Sequence, residues 1–297
     1  MIKTTPNCPF CQTKILRSLY HVEGRIIYQC PECGLICAAS EILNGQLSPK
    51  TEARRKKKDY QKKEENWYQT YLEEKTNLLS RFEKRLEEIE KRRKPGKVLD
   101  VGCGPGFFLE VAQKHGWEIF GLDILERTLI DASCLLPASH LFYGPLEKAF
   151  FQDRFFDTIV FFETLEHMSD LHQTLSRARK ILKDDGLLAI TVPNRAGWIS
   201  KMMGKSWFDY QRLQHLYFFT PETLKMILNK NGFKIIYQGN ELAYRCFFST
   251  LCSKIRRYYP NPFLKPLVKT IEMISQSVGP KSIIIPIELI YVLCQKA

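Results

Sequence analysis

Residues 97–117 read K-V-L-D-V-G-C-G-P-G-F-F-L-E-V-A-Q-K-H-G-W. Val98, Leu99 and Val101 form the short apolar run of a buried parallel strand. Gly102, Gly104 and Gly106 follow and permit a tight turn with close backbone approach. Phe108, Leu109 and Ala112 then recur at helical spacing until Gly116 stops the helix. Strand, glycine turn and helix in that order predict an α/β crossover that binds a nucleotide-like ligand.

The ligand follows from two details. The spacing is G-x-G-x-G, with Gly106 one residue early for the dinucleotide pattern, and Asp100 stands at the strand end beside the turn. A carboxylate there repels a pyrophosphate and attracts an ammonium. S-adenosylmethionine carries an ammonium, a carboxylate and a sulfonium, and no phosphate. Its carboxylate suits free N–H groups at the turn, with Asp100 on the amine side. Residues 118–122 predict a second strand closed by Asp123, 23 positions after Asp100, where such folds place an acid on ribose hydroxyls.

The stretch V-L-D-V-G-C-G-P-G-F-F with G-L-D-I resembles the class I S-adenosylmethionine-dependent methyltransferases. Three later stretches narrow the resemblance: F-D-T-I-V-F-F-E-T-L-E-H-M-S-D, D-G-L-L-A-I-T-V-P-N and H-L-Y-F-F-T-P-E-T-L-K-M-I-L-N-K-N-G-F. Together they are similar to the branch of the ubiquinone-biosynthesis O-methyltransferases and many bacterial sugar and lipid methyltransferases. The similarity covers residues 97–238 and a final strand at 288–295. It implies a Rossmann-like, mostly parallel sheet with an antiparallel last strand, and a methyl acceptor that is a hydroxyl of a quinol, sugar or lipid-linked precursor. It also implies a cofactor-binding set of Asp100, Gly102, Cys103, Gly104, Gly106, Asp123, Ile124, Leu146 and Phe162. Pro145 stands where the family often has Asp, which leaves the backbone near Leu146 as the adenine contact.

Glu163-Thr-Leu-Glu166-His167 is E-x-x-E-H, and a helix beginning there puts positions 163, 166 and 167 on one face. Two carboxylates and an imidazole suit Mg²⁺ or Mn²⁺. His215, in H-L-Y-F-F-T, is a candidate to close the site, and the resemblance supports such a set. Two other readings stay open: His167 as a general base without metal, or Glu166 and His167 as ties for the helix start.

Upstream, Cys8-x2-Cys11 and Cys30-x2-Cys33 enclose eighteen residues, the spacing of a four-cysteine zinc site. Four thiolates close a tetrahedral ion, which predicts a structural zinc ribbon over 1–40 with strands at 15–20 and 25–29. Residues 41–96 read as a charged connector that becomes a helix. From Lys50 to Lys94 there are sixteen Lys or Arg against ten Asp or Glu, which is +6 of the chain's +12. Trp67, Tyr71, Leu78, Phe82, Leu86 and Ile89 give that helix one apolar stripe. The run Arg54–Lys58 opens an alternative acceptor class, RNA gripped by ribbon and connector, beside the plainer reading of a solvated face.

The methyltransferase region then spans 97–297, with a helix over 126–136 and insertions at 194–219 and 239–283. The first insertion bears Trp198, Trp207, Phe208 and Tyr210, which either roof the acceptor pocket or pack on one another. The second alternates apolar and basic residues over 251–274, a surface suited to an anionic membrane, the protein core or a second subunit. With 44% apolar and 26% charged residues the chain has the makings of a proper core. No apolar signal region opens it and no run reaches the ~18 apolar residues of a spanning helix, so it is expected to be cytoplasmic.

Overall fold

The computed structural model describes residues 6–14, 16–43, 46–48, 51, 58–134, 137, 140–247, 273 and 282–297. Arg54–Lys57 of the basic run, the 251–272 part of the amphipathic insertion and Ile15 lie outside the described residues.

Five short strands come first: β1 (Arg17–Val22), β2 (Arg25–Gln29), β3 (Ile36–Cys37), β4 (Ile42–Leu43) and β5 (Gln46–Leu47). Two helices follow, α1 (Lys58–Glu73) and α2 (Lys75–Glu90). The apolar stripe continues through α2, which buries Leu78, Phe82, Leu86 and Ile89 together with Arg85. The glycine stretch forms β6 (Lys97–Val101) and α3 (Phe107–Lys114), as its spacing predicts.

Then come β7 (Glu118–Asp123), α4 (Glu126–Ala132), β8 (Leu141–Tyr143), β9 (Phe156–Phe162), α5 (Leu171–Ile181) and β10 (Leu182–Pro193). Helix α4 stops four residues short of the expected 136, in a turn at Ser133 and Cys134. The 194–219 insertion folds into α6 (Trp198–Met203), α7 (Phe208–Gln211) and β11 (Tyr217–Phe218). The last elements are α8 (Pro221–Lys230), β12 (Phe233–Phe247) and β13 (Ser282–Lys296). Thr220 caps α8 with its side chain on the Thr223 amide, and Pro221 opens the helix.

The main sheet has the order β12-β13-β10-β9-β6-β7-β8. Its pairs from β10 to β8 are parallel, while β13 runs antiparallel to both β10 and β12. The expected antiparallel last strand is present and longer than 288–295, because β12 and β13 extend as a ladder into both ends of the 239–283 insertion. Every residue of β9 is buried, as a central strand covered on both faces requires. Strand alternation sends Ile159 and Phe161 to one face and Val160 and Phe162 to the other. Helices α2 and α3 pack on the second face through Leu78, Phe82, Leu86, Phe108 and Leu109.

The first face carries α5, α8 and the cysteine-bearing segment, whose Phe10, Leu16 and Tyr28 share a core with Leu224 and Ile227. A second, four-stranded sheet has the order β1-β2-β3-β11. Its fourth strand comes from the insertion, pairing Tyr217 with Cys37 and Phe218 with Ile36. Among the described residues no helix is long and apolar enough to cross a membrane.

Candidate functional site

The glycine turn sits where parallel strands β6 and β7 end. Gly102 and Gly104 adopt φ of 79° and 53°, a region costly to residues with a Cβ. Gly104 N donates to Asp123 Oδ2 at 2.9 Å and Leu125 N donates to Oδ1 at 2.8 Å, so the second-strand acid is tied to the turn. Burial, with Asp123 close by, pushes the Asp100 carboxyl up to about 8, although Arg85 works the other way. Burial also raises Asp123, against the amides that hold it. Both acids are buried at the turn, and a cation brought against them would offset the desolvation that raises them, which suits an ammonium-bearing cofactor. Cys103 is buried within the turn and Leu146 is buried in the core that holds Val101 and Leu122, whereas Ile124 is 54% exposed. Phe162, at the end of β9, lies against Phe82, Phe108 and the Arg85 guanidinium.

The chain after β9 differs from the helical reading. Glu163 has φ of 56°, and Leu165–His167 is a single 3-10 turn. The expected common face is therefore lost. Glu163 turns to α2, where Arg81 Nη2 and Arg85 Nη2 donate to its Oε1 at 2.9 and 3.0 Å. Partial desolvation opposes its ionisation, but the Arg81 and Arg85 guanidiniums outweigh it and hold the carboxyl at about 2. Arg85 lies on the stripe defined by Leu78, Phe82 and Ile89, so a charge on an apolar face was the trace that sequence reading passed over.

Glu166, His167 and His215 do converge. One ligand atom from each lies within 4.8 Å of the others, and the two imidazole rings are 4.7 Å apart. His167 Nδ1 donates to the Gln214 carbonyl at 3.0 Å, a partner that can only accept, which leaves Nε2 with the lone pair. Leu216 N donates to the Glu166 carbonyl at 2.8 Å and brings the His215 loop onto the turn. Glu166 is fully buried, yet among the described residues neither of its carboxyl oxygens has a hydrogen-bond partner, nor does His215 Nδ1. Burial drives the Glu166 carboxyl well above the usual range, with Glu163 and Asp209 adding to it, and drives His215 well below its own. A buried carboxyl whose oxygens meet no hydrogen-bond donor among the described residues, set beside two imidazoles, has the donor chemistry of a divalent-cation site.

Asp209, a residue sequence reading missed, is buried with Oδ1 3.5 Å from His215 Nδ1. The triad and the glycine turn are neighbours: a Cβ on Gly102 would come within 2.5 Å of the Thr164 side chain. Of the insertion aromatics, Trp207 and Tyr210 are buried against Phe218, while Trp198 is 57% exposed.

The four cysteines also converge. Cys8 Sγ lies 3.7 Å from Cys33 Sγ and Cys11 Sγ 3.4 Å from Cys30 Sγ. The amides of Cys11 and Cys33 donate to the sulfurs of Cys8 and Cys30, each at 3.5 Å. Four cysteine sulfurs drawn this close together have the donor set of a tetrahedral zinc.

A family model described as "Methyltransferase domain" matches residues 68–238. Ubiquinone biosynthesis O-methyltransferase of Bartonella bacilliformis is 29% identical over 155 residues, 47% of this chain and 60% of that protein. The human mitochondrial ubiquinone biosynthesis O-methyltransferase is 27% identical over 163 residues, 47% of this chain and 42% of that protein. The match thus spans about half the length of these relatives. Among solved structures, a putative methyltransferase from Bacillus halodurans superposes with a TM-score of 0.54 at 16% identity, over 73% of this chain and 98% of that one. A SAM-dependent methyltransferase from Archaeoglobus fulgidus gives 0.51 at 20% identity, over 76% and 99%. At those identities the structures speak for the fold alone.

Proposed function

The chain belongs to the methyltransferase-domain family, and we propose that it moves a methyl group from S-adenosylmethionine to a hydroxyl of a small metabolite such as a quinol, sugar or lipid-linked precursor. The observation that carries this reading is the buried Glu166 carboxyl, without a hydrogen-bond partner among the described residues, beside two imidazoles on a turn whose Thr164 meets the glycine turn. The O-methyltransferase names of the relatives support an oxygen acceptor.

Asp100 receives the cationic end of the cofactor and Asp123 the ribose, with the turn amides and Phe162 completing the cradle. Bound S-adenosylmethionine supplies an electrophilic methyl on a good leaving group, so the chain's main task is to align two reactants. Glu166, His167 and His215 hold a divalent ion, and two imidazoles favour Mn²⁺ over Mg²⁺. Such an ion supplies Lewis-acid polarisation that lowers the pKa of an acceptor hydroxyl. The Gln214 carbonyl, accepting from His167 Nδ1, fixes the tautomer of the neutral ring. Arg81 and Arg85 tie helix α2 to Glu163, directly after β9. The thiols of Cys8, Cys11, Cys30 and Cys33 hold a structural zinc.

The test is transfer of radiolabelled methyl to a panel of catechol, sugar and lipid-linked hydroxyls, with RNA in parallel, before and after chelation and Mn²⁺ re-addition. Label in a hydroxyl acceptor that falls on chelation and returns with Mn²⁺ is expected. A full rate after chelation transfers the proton-accepting role to His167 Nε2 and removes the ion. Label in RNA alone overturns the small-molecule reading.

A further inference from the structure

His215 reaches the triad from a loop, and the loop is gripped from the cysteine-bearing sheet. Arg25, first residue of β2, is 2% exposed. Its Nη1 donates to the carbonyls of Leu213 and His215 at 3.1 and 2.8 Å. Its Nη2 donates to those of Tyr210 and Arg212 at 2.9 and 2.7 Å. One planar guanidinium thus gathers four carbonyls of a six-residue loop, a geometry that lysine's point charge does not reproduce. Directly after the loop the same sheet adds further ties: Ala38 N donates to the Leu216 carbonyl at 2.8 Å, and β3 pairs with β11. Ile27, Ile36 and Ala38 pack with Trp207, Tyr210 and Phe218 beneath it.

We propose that Arg25 is a positioning residue, and that the cysteine-bearing sheet serves as an internal brace presenting His215 to Glu166 and His167. Burying a guanidinium is expensive unless its donors are engaged, and here the four bonds of Nη1 and Nη2 go to backbone carbonyls, so the Arg25 fork specifies loop shape. The sheet's partner is then the chain's own methyltransferase region. Without the brace the loop still joins α7 to β11, but His215 loses the constraint that sets its distance from the other two ligands.

The metal readout of this proposal rests on the divalent-ion reading above, and a second readout does not. In the full chain, Arg25→Met and Arg25→Lys are compared with the unaltered protein for Mn²⁺ affinity by electron paramagnetic resonance, with His215→Ala marking loss of the site. S-adenosylmethionine affinity by calorimetry monitors the cofactor half, and backbone hydrogen exchange follows residues 210–217. Orienting partners behind a metal ligand are worth roughly 10–100-fold in affinity, so Arg25→Met should weaken Mn²⁺ by that factor, and Arg25→Lys by less. Cofactor affinity should stay within about twofold, and the loop should exchange faster.

Unchanged Mn²⁺ affinity in Arg25→Met overturns the brace. If the unaltered protein binds no Mn²⁺, the divalent-ion reading falls. The brace is then decided by exchange alone, and an unchanged 210–217 segment in the variants overturns it. Should Arg25→Met lose cofactor binding as well, the same criteria apply to Arg25→Lys.

Discussion

The two donor clusters of this molecule, the four cysteines and the Glu166–His167–His215 triad, are built in opposite ways. The cysteines come as two tight pairs, each formed by a local turn whose amide points at its own sulfur. Four such donors close an ion's coordination and leave nothing for chemistry. The triad takes two residues from a turn after β9 and one from a loop 48 positions later, held there by long-range hydrogen bonds. Three donors leave room for a reactant. A closed cluster lends itself to architecture and an open one to catalysis, and in this fold the first stands behind the second through Arg25.

The contrast breaks most visibly at Glu166. Glu166→Gln removes the anionic donor while keeping shape, and turnover should fall by roughly 10²–10⁴-fold, the usual worth of the group that activates an acceptor. Cofactor affinity, measured by calorimetry, should hold; a variant that retains its rate would make Glu166 a mere tie. Next in size is Cys30→Ser. Metal analysis should show zinc loss, and because the sheet braces the triad, Mn²⁺ affinity there should drop about tenfold or more. A triad indifferent to Cys30→Ser would return the two clusters to independence.

A control lies outside both clusters at Asp157. It accepts from Lys183 and from the Lys97 amide and pairs with Arg93. Desolvation opposes its charge, but Lys183, the amide and Arg93 prevail and hold it at about 2. A folded pKa below the unfolded one adds stability that is complete above about pH 4 and is lost as pH falls towards 2. Asp157→Asn should therefore cost about 2 kcal/mol at pH 7 and flatten the acid limb of the stability curve, with both clusters unaffected. The smallest effect belongs to the turn itself. Asp123→Asn exchanges a charged acceptor for a neutral one and should weaken S-adenosylmethionine about tenfold, while leaving zinc content and Mn²⁺ affinity unchanged.

The sequence by itself determined what depends on near neighbours. Gly102 and Gly104 announce the turn because few other residues tolerate its backbone. Val98 and Leu99 announce the strand, and the paired C-x2-C turns announce a thiol cluster, since each motif is complete within a few residues. Glu163 shows where that logic ends. Its spacing to Glu166 and His167 suits a helix, but a positive φ and a single 3-10 turn redirect its side chain to two arginines on α2. The extent of β12 and β13 was likewise hidden, because a ladder's length depends on the pairing partner and not on either strand alone. The sequence offered His215 as a candidate beside Glu166, but only the tertiary structure set the geometry that joins them, placed Asp209 behind His215 and closed Arg25 on four carbonyls. Those contacts join residues up to 190 positions apart, and what fixes them is the hold of the cysteine-bearing sheet on the His215 loop and on β11, which no local pattern encodes.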